Sequence, residues 1–335
     1  MTNKEIYKNI CEQRLDDVPL FQQYWWMEAV CAGKQWDVAL ATEGDKVTGA
    51  MPYHYVHRLG LTVVLQPQLT QFSGPVYFKD ALVCRDKESR QLYNSVDTMS
   101  ESHSLDFEKR VASELIAQME TIKPSAVLIH TSPRITNWLP FYWKGYAQTT
   151  RYTYRIPDIS DAGAVFAAFD KEKRQRKIIK TERQTTVRFD MSPSDFAAFH
   201  RRYWESKGEK DLLSEDFIER VCTAAMQRSQ GVIASLHGND GTLLSARFVA
   251  YDKNVAYSLL SANDMKCHRS GHSETLMWAL IKHLSGKCRA FDFEGSMDEG
   301  IEFFYRSFGA IQTPFFEIRK YRNILVELLF KSINK

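Results

Sequence analysis

Residues 291–310 read FDFEGSMDEGIEFFYRSFGA, and this stretch decides how the second half of the chain folds. Apolar and acidic residues alternate at its start. The alternation predicts a β-strand over residues 289–294, with Asp292 and Glu294 on one face and the phenylalanines on the other. Two carboxylates at a strand end followed by Gly295 suit proton removal from an attacking amine. An equal alternative is that one of them caps the next helix or pairs with an arginine.

A second informative segment precedes it, residues 265–284, which read MKCHRSGHSETLMWALIKHL. The pattern predicts that a strand ends before this segment, a polar loop follows, and an amphipathic helix covers residues 273–284. Gly271 allows the backbone to approach a ligand closely, and the free N–H groups of the helix start would face an anion. Together with nearby positive side chains, this arrangement suits a pyrophosphate; a plain strand-to-helix loop is the alternative. These side chains are Lys266, His268 and Arg269.

Working outward, each half of the chain alternates helices with strands of antiparallel character, so the predicted fold class is α/β with mixed sheets. We predict two domains, residues 1–156 and 157–335, with the last helix a candidate to pack back on the first domain. The predicted helices are 18–30, 107–122, 195–206, 215–228, 273–284, 299–308 and a last helix from 321 onward. The predicted strands are 36–41, 47–57, 61–65, 74–78, 126–130, 145–156, 231–237, 243–251, 254–260, 289–294 and 313–319.

The amino-acid composition indicates a folded globular protein. The chain has 335 residues, of which 44 % are hydrophobic and 25 % charged, which is typical of folded globular domains. The formal net charge of +3 does not by itself identify a partner. The six cysteines include no C-x-x-C pair, and no apolar run approaches the ~20 residues of a membrane span. These features predict a cytoplasmic protein with reduced thiols and no spanning segment, and they leave a peripheral membrane role open.

Residues 171–188, KEKRQRKIIKTERQTTVR, form a strongly basic run. Three interpretations compete: a solvated helix face, a nucleic-acid surface, or a site for a phosphate-bearing substrate. The run lacks the tandem aromatic residues on which bases stack, so the nucleic-acid interpretation is the weakest. We predict substrate binding by Arg174, Lys177 and Lys180, which share one face of a helix.

Four stretches together resemble the Fem-like branch of the GNAT N-acetyltransferase superfamily. They are residues 19–26 (PLFQQYWW), 71–76 (QFSGPV), 169–187, and 292–319. This branch includes transferases that build peptidoglycan cross-bridges and acetyltransferase-like proteins. The resemblance implies two tandem GNAT-like domains facing a cleft, with the basic run of residues 171–188 near that cleft.

The resemblance also implies roles for single residues. Tyr305 and Gly309 match the family's Tyr-x-x-x-Gly ending, in which the tyrosine protonates the departing thiolate. The structural alternative is a core tyrosine followed by a helix-ending glycine. His268, Gly271 and Ser273 occupy the positions of the family's coenzyme A loop, Gln/Arg-x-x-Gly-x-Gly/Ala, with His268 in the place of Gln or Arg. We therefore predict that the donor is bound by His268, Arg269, Ser270, Gly271, His272 and Ser273.

The resulting hypothesis is an N-acyltransferase that moves an acyl group from an acyl-CoA-type donor to a small-molecule or cell-wall-precursor amine by direct attack. Its predicted catalytic residues are Tyr305, Glu294 and Asp292. No metal is predicted, since Cys267, His268 and His272 lack a second ligand pair at the spacing of structural zinc sites. One alternative is a peptidyl transferase that uses aminoacyl-tRNA, which the absence of a long heptad run disfavours. The other is a non-catalytic binding module on the same fold.

Overall fold

The computed structural model of the protein describes residues 1–58, 60–78, 97–265, 271–295 and 299–333. The chain forms two compact units. Unit 1 comprises Met1–Arg151 and Phe315–Lys335, and unit 2 comprises Tyr152–Pro314. The structure has the mixed α/β class that the sequence predicts.

The strands, in chain order, are β1 (Gln35–Glu43), β2 (Lys46–Arg58), β3 (Leu61–Leu65), β4 (Val76–Tyr77), β5 (Ala126–His130), β6 (Ala147–Ile156), β7 (Thr185–Arg188), β8 (Gly231–Gly238), β9 (Leu243–Tyr251), β10 (Val255–Asn263), β11 (Ala290–Asp292) and β12 (Ile311–Tyr321). The α-helices are α1 (Asn3–Gln13), α2 (Tyr24–Val30), α3 (Asp97–Met119), α4 (Leu139–Trp143), α5 (Ala162–Ala167), α6 (Arg176–Glu182), α7 (Pro193–Lys207), α8 (Glu215–Gln227), α9 (His272–Leu284), α10 (Glu299–Arg306) and α11 (Ile324–Ile333). A π-helical turn, Lys171–Gln175, leads into α6.

Unit 1 is built on the strand order β1-β2-β3-β5, with the 315–321 part of β12 beside β5. Neighbouring strands are antiparallel except for β3 and β5, which are parallel. Helix α3 covers one face of these strands and buries Val111, Leu115 and Ile116 against them. On the other face, Val326 of α11 packs against Val63 and Ala126.

Unit 2 has the strand order β6-β11-β10-β9-β8-β7. Its neighbouring strands are antiparallel except for β10 and β11, which are parallel. Helix α9 packs on one face of these strands. The amphipathic pattern predicted for it is confirmed, because the five residues of its apolar stripe are fully buried. These are Leu276, Met277, Leu280, Ile281 and Leu284.

Two local departures from the sequence prediction matter for packing and for the site. The predicted helix 18–30 is interrupted at Gln23, whose backbone is extended and whose side-chain amide donates to the Val18 carbonyl at 3.1 Å. The predicted strand 289–294 ends at Asp292, because Glu294 adopts a left-handed backbone with φ of +66°. Glu294 is therefore placed by a turn and not by the alternation of a strand.

Helix α1 is a further element that the sequence analysis did not predict. It buries Tyr7 and Cys11, and a capping box between Thr2 and Glu5 begins it. Across the part of the chain that the structure describes, each helix is too short or too polar to cross a bilayer.

Candidate functional site

The site lies where two parallel strands of unit 2 part. Strand β11 pairs with β10 only along Val255–Tyr257, whereas β10 runs on to Asn263 and stays paired with β9 on its other side. Among the described strands, none pairs with the β11-facing edge of residues 258–263. A β-bulge between Ser258 and Leu260 bends β10 at the point of separation. An open strand edge of this kind offers backbone N–H and C=O groups to an extended ligand that carries amides.

Asp292, the last residue of β11, is fully buried beneath this opening. Its Oδ2 accepts a hydrogen bond from Arg155 Nε at 2.5 Å, and its Oδ1 accepts from the Thr153 hydroxyl and from the Glu294 backbone N–H at 2.8 Å. Both carboxylate oxygens are thus engaged inside the protein. The structure thus has the alternative in which one of the two carboxylates pairs with an arginine, and Asp292 holds the segment that bears Glu294; its assignment as a catalytic base stays a prediction.

Glu294 is the carboxylate that the turn leaves available for chemistry. Burial and the nearby charge of Asp292 raise its pKa well above the usual glutamate value, while the positive charge of Arg247 opposes the increase. A carboxylate with a raised pKa is the stronger base when it is ionised, so this environment suits a general base near neutral pH.

Tyr305 projects from α10 into the same region and is half-buried. Its ring lies 5.3 Å from that of Phe293 and 6.2 Å from that of Tyr154, which fixes its plane against the core. Burial raises the pKa of its hydroxyl and Arg247 lowers it, with smaller upward effects from Glu294 and Asp292. The hydroxyl is therefore protonated at neutral pH, as a proton donor must be.

Arg247, in the middle of β9, is the site residue that the sequence analysis missed. Its Nη1 donates to the Ser258 hydroxyl at 2.7 Å, and its Nε is buried with no hydrogen-bond partner within the described residues. Burial lowers the pKa of its guanidinium, whereas Tyr305 and Glu294 raise it. The sequence signal that could have identified it is that Arg247 is the one charged residue in the strand sequence LLSARFVAY.

Gly271, in the segment that the sequence predicts as a pyrophosphate loop, closely approaches another part of the protein. Gly271 has φ of +108°, and a Cβ on it would lie 2.3 Å from the Thr181 hydroxyl of α6. Its N–H donates to Glu274 Oε2 at 3.0 Å. The close approach that requires glycine is thus made to the protein itself, and donor binding by Gly271 stays a prediction.

The other residues predicted to bind the donor are either partly or fully buried or lie outside the described residues. His272 is buried at the start of α9, and Ser273 is half-buried, with its hydroxyl donating to Asn263 at 3.4 Å. His268, Arg269 and Ser270 lie outside the described residues, as does Cys267. The described residues hold no group of His, Cys, Asp and Glu that suits a metal ion.

The three predicted substrate-binding residues do not share one exposed face. Arg174 is only 4 % exposed; its Nη1 donates to Glu274 at 3.2 Å and its guanidinium stacks on Phe304 at 4.3 Å. Its contacts are therefore internal, and its assignment to substrate binding stays a prediction. Lys177 Nζ lies 3.7 Å from Glu274 Oε1 and is partly exposed, and Lys180 is exposed, so both remain accessible to a ligand.

Comparisons with known proteins agree with this architecture. Residues 170–302 match a family model described as an acetyltransferase (GNAT) domain. Unit 2 carries a GNAT acyltransferase domain. The matched residues include β9, β10 and β11 with Arg247 and Asp292, and also Glu294 just after β11; Tyr305 lies just beyond the matched residues. A comparison with curated protein sequences yields no match.

Solved structures show that the whole fold is shared. The crystal structure of FemX is 13 % identical, with a TM-score of 0.66 over 100 % of this chain and 99 % of its own. L-PGS from Bacillus licheniformis is 12 % identical (TM-score 0.59, covering 97 % and 94 %). A tandem GNAT protein from the clavulanic acid biosynthesis pathway is 9 % identical (TM-score 0.52, covering 96 % and 95 %). These similarities confirm the fold of the Fem-like resemblance, in which the GNAT domain is one of two tandem copies.

Proposed function

We propose that this protein is an N-acyltransferase that moves an acyl group from an acyl-CoA-type donor to an amine by direct attack. The observation that carries the proposal is the cluster of Glu294, Tyr305 and Arg247 beside the open edge of β10. It combines a base, an acid and a fixed positive charge where an extended donor has backbone groups to bind.

Each residue has a defined role in the proposed reaction. Glu294 removes a proton from the amine, whose nitrogen attacks the thioester carbonyl carbon. The tetrahedral intermediate then collapses, its carbon–sulfur bond breaks, and Tyr305 donates its proton to the leaving sulfur. The proton on Glu294 afterwards leaves to solvent and Tyr305 regains one, so protons balance over the cycle. Arg247 keeps Glu294 ionised enough to act and offsets the negative charge that develops nearby.

The open edge of β10 supports an amide-bearing donor such as acyl-CoA, whose extended arm can pair with a strand. Among the described groups, Lys177 and Lys180 are the cations that we propose for the donor's phosphates or for a phosphate-bearing acceptor. The proposed acceptor is the amine of a small molecule or of a cell-wall precursor, and the proposed location is cytoplasmic, where such donors are made.

A second candidate donor, aminoacyl-tRNA, is favoured by a specific feature of α9. Glu274 is buried at the start of this helix and accepts the Gly271 N–H, so a carboxylate of the protein takes a position that would otherwise attract a pyrophosphate. Arg174 and Lys177 neutralise it. The Fem-like resemblance implies such donors for part of its branch.

Donor binding to the full chain distinguishes these candidates. We expect isothermal titration with acetyl-CoA to give a saturable signal that Lys177→Gln weakens, whereas Lys210→Gln, an exposed control, leaves it unchanged. Saturable binding of a charged tRNA, with no signal from acetyl-CoA, would transfer the proposal to the second donor. If neither donor gives a binding signal, the result would favour the alternative of a non-catalytic binding module.

Replacement of the proposed acid tests the chemistry directly. We expect Tyr305→Phe to lower kcat by about 10²-fold because the thiolate must then leave unprotonated. KM for the donor should change little, since the ring keeps its packing against Phe293. Steady-state release of free thiol measures both constants, with exposed Tyr142→Phe as the matched control. Full turnover by Tyr305→Phe would contradict the assigned role.

A further inference from the structure

Helix α11 presents an apolar surface that the rest of unit 1 leaves uncovered. Its inner side packs through Val326 and Phe330 against the cluster around Val63 and Ala126. Its outer side carries aliphatic residues with large exposed fractions: Ile324 61 %, Leu325 73 %, Leu328 55 % and Leu329 41 %. At 100° per residue these four side chains span a continuous arc, so they form one patch and not scattered exposures.

A basic groove lies next to the start of this helix. It is lined by Lys123, Val127, Lys320, Tyr321 and Arg322, with Glu120 as its acidic member. Glu120 is already neutralised, since it accepts from Lys320 Nζ at 2.6 Å. Lys123 and Arg322 are exposed and form no ion pair with any described residue. The groove therefore carries excess positive charge beside an apolar arc.

Glu120 has a second partner in this groove. The Tyr146 hydroxyl donates to it at 3.1 Å. The carboxylate among the groove's lining residues is thus held by a lysine and a tyrosine, so the charge that the groove offers to a ligand is that of Lys123 and Arg322.

We propose that unit 1 docks on an anionic lipid surface through α11 and the groove of Lys123 and Arg322. Exposed leucines on one arc of a helix enter the acyl boundary, while neighbouring cations meet lipid phosphates, which is how interfacial helices bind. Charge complementarity favours this occupant over a second copy of the chain, because two copies of this basic face would bring like charges together. The inference is independent of the proposed reaction in unit 2.

Vesicle sedimentation of the full chain tests the proposal. We expect binding to vesicles of equal parts phosphatidylglycerol and phosphatidylcholine, little binding to pure phosphatidylcholine, and weakening by salt. The pair Lys123→Gln and Arg322→Gln should lower the partition coefficient about 25-fold, with Lys210→Gln as control. The pair Leu325→Gln and Leu328→Gln should lower it at least about tenfold. Leu212→Gln, a control at an 85 % exposed leucine in unit 2, should not.

These substitutions are on exposed side chains, so the thermal midpoint should stay at the wild-type value, which separates lost binding from lost folding. Equal binding to both vesicle types would overturn the proposal. Wild-type vesicle binding by the Leu325→Gln and Leu328→Gln double variant would also overturn the proposal, because the membrane contact would then lie elsewhere. A dimer in light scattering that the α11 pair dissolves, without vesicle binding, would assign the surface to a second copy and equally overturn it.

Discussion

Glu294→Gln should lower kcat by about 10²–10⁴-fold, the contribution that a positioned general base typically makes. The amide has the size of the carboxylate but cannot take a proton from the amine. Because the Glu294 backbone is held by its N–H bond to Asp292, the substituted side chain should occupy the same place. Single-turnover acyl transfer measures the chemical step, and KM for the donor should remain near the wild-type value.

The pH dependence of kcat/KM tests whether Glu294 is the base. In the wild type, kcat/KM should rise with pH through the raised pKa of Glu294, since only the ionised carboxylate accepts a proton. The stability effect has the opposite sign. Because the folded pKa lies above the unfolded one, the wild type loses stability as pH rises from the ordinary glutamate value to the raised value. Glu294→Gln removes that loss, so it should be at least as stable as the wild type at neutral pH.

The matched control is Glu299→Gln, a change of the same chemistry at an exposed position in the first turn of α10. We expect it to retain wild-type kcat and an unchanged pH profile. A Glu294→Gln protein with the rising limb of the pH profile intact would show that another group is the base.

Asp292→Ala should lower the free energy of unfolding by about 3–5 kcal/mol, the usual cost of removing one partner of a buried ion pair. Arg155 would be left with its charge in a site where its side chain is only 15 % exposed, and the Thr153 hydroxyl and Glu294 N–H would lose their acceptor. Burial lowers the pKa of Arg155, but Asp292 and Tyr257 raise it by more, so the guanidinium stays charged and its isolation is costly. Urea denaturation followed by fluorescence measures the change.

Two further variants separate the ion pair from the hydrogen bonds. Asp292→Asn keeps an acceptor for Thr153 and the Glu294 N–H, so it should cost less than Asp292→Ala. Combining Asp292→Ala with Arg155→Met removes both charges and should recover part of the lost stability, which a double-mutant cycle quantifies. Strictly additive losses would mean that the two residues do not interact as the structure describes.

Local patterns in the sequence predicted much of the fold. The ranges 61–65, 126–130 and 243–251 are strands with the predicted bounds, since alternating or continuous apolar residues between turn residues determine short strands. The apolar stripe of α9 was equally visible, because helical spacing places it on one face. Glu294 and Tyr305 were named from the sequence, and both lie in the candidate site as neighbours of Arg247. Their catalytic roles stay predictions.

The sequence by itself determined the mixed α/β class, the helix that follows Gly271, and an acid and a tyrosine on neighbouring elements, because each follows from contacts within a few residues. Only the tertiary structure decided which carboxylate is available, since Asp292 is occupied by Arg155, which is 137 residues away in the chain. In the tertiary structure Arg247 lies near Glu294, Arg174 forms an internal pair with Glu274, and Gly271 closely approaches Thr181. Such partners come from distant segments that meet only when the sheet and helices pack, and no local period in the sequence encodes them.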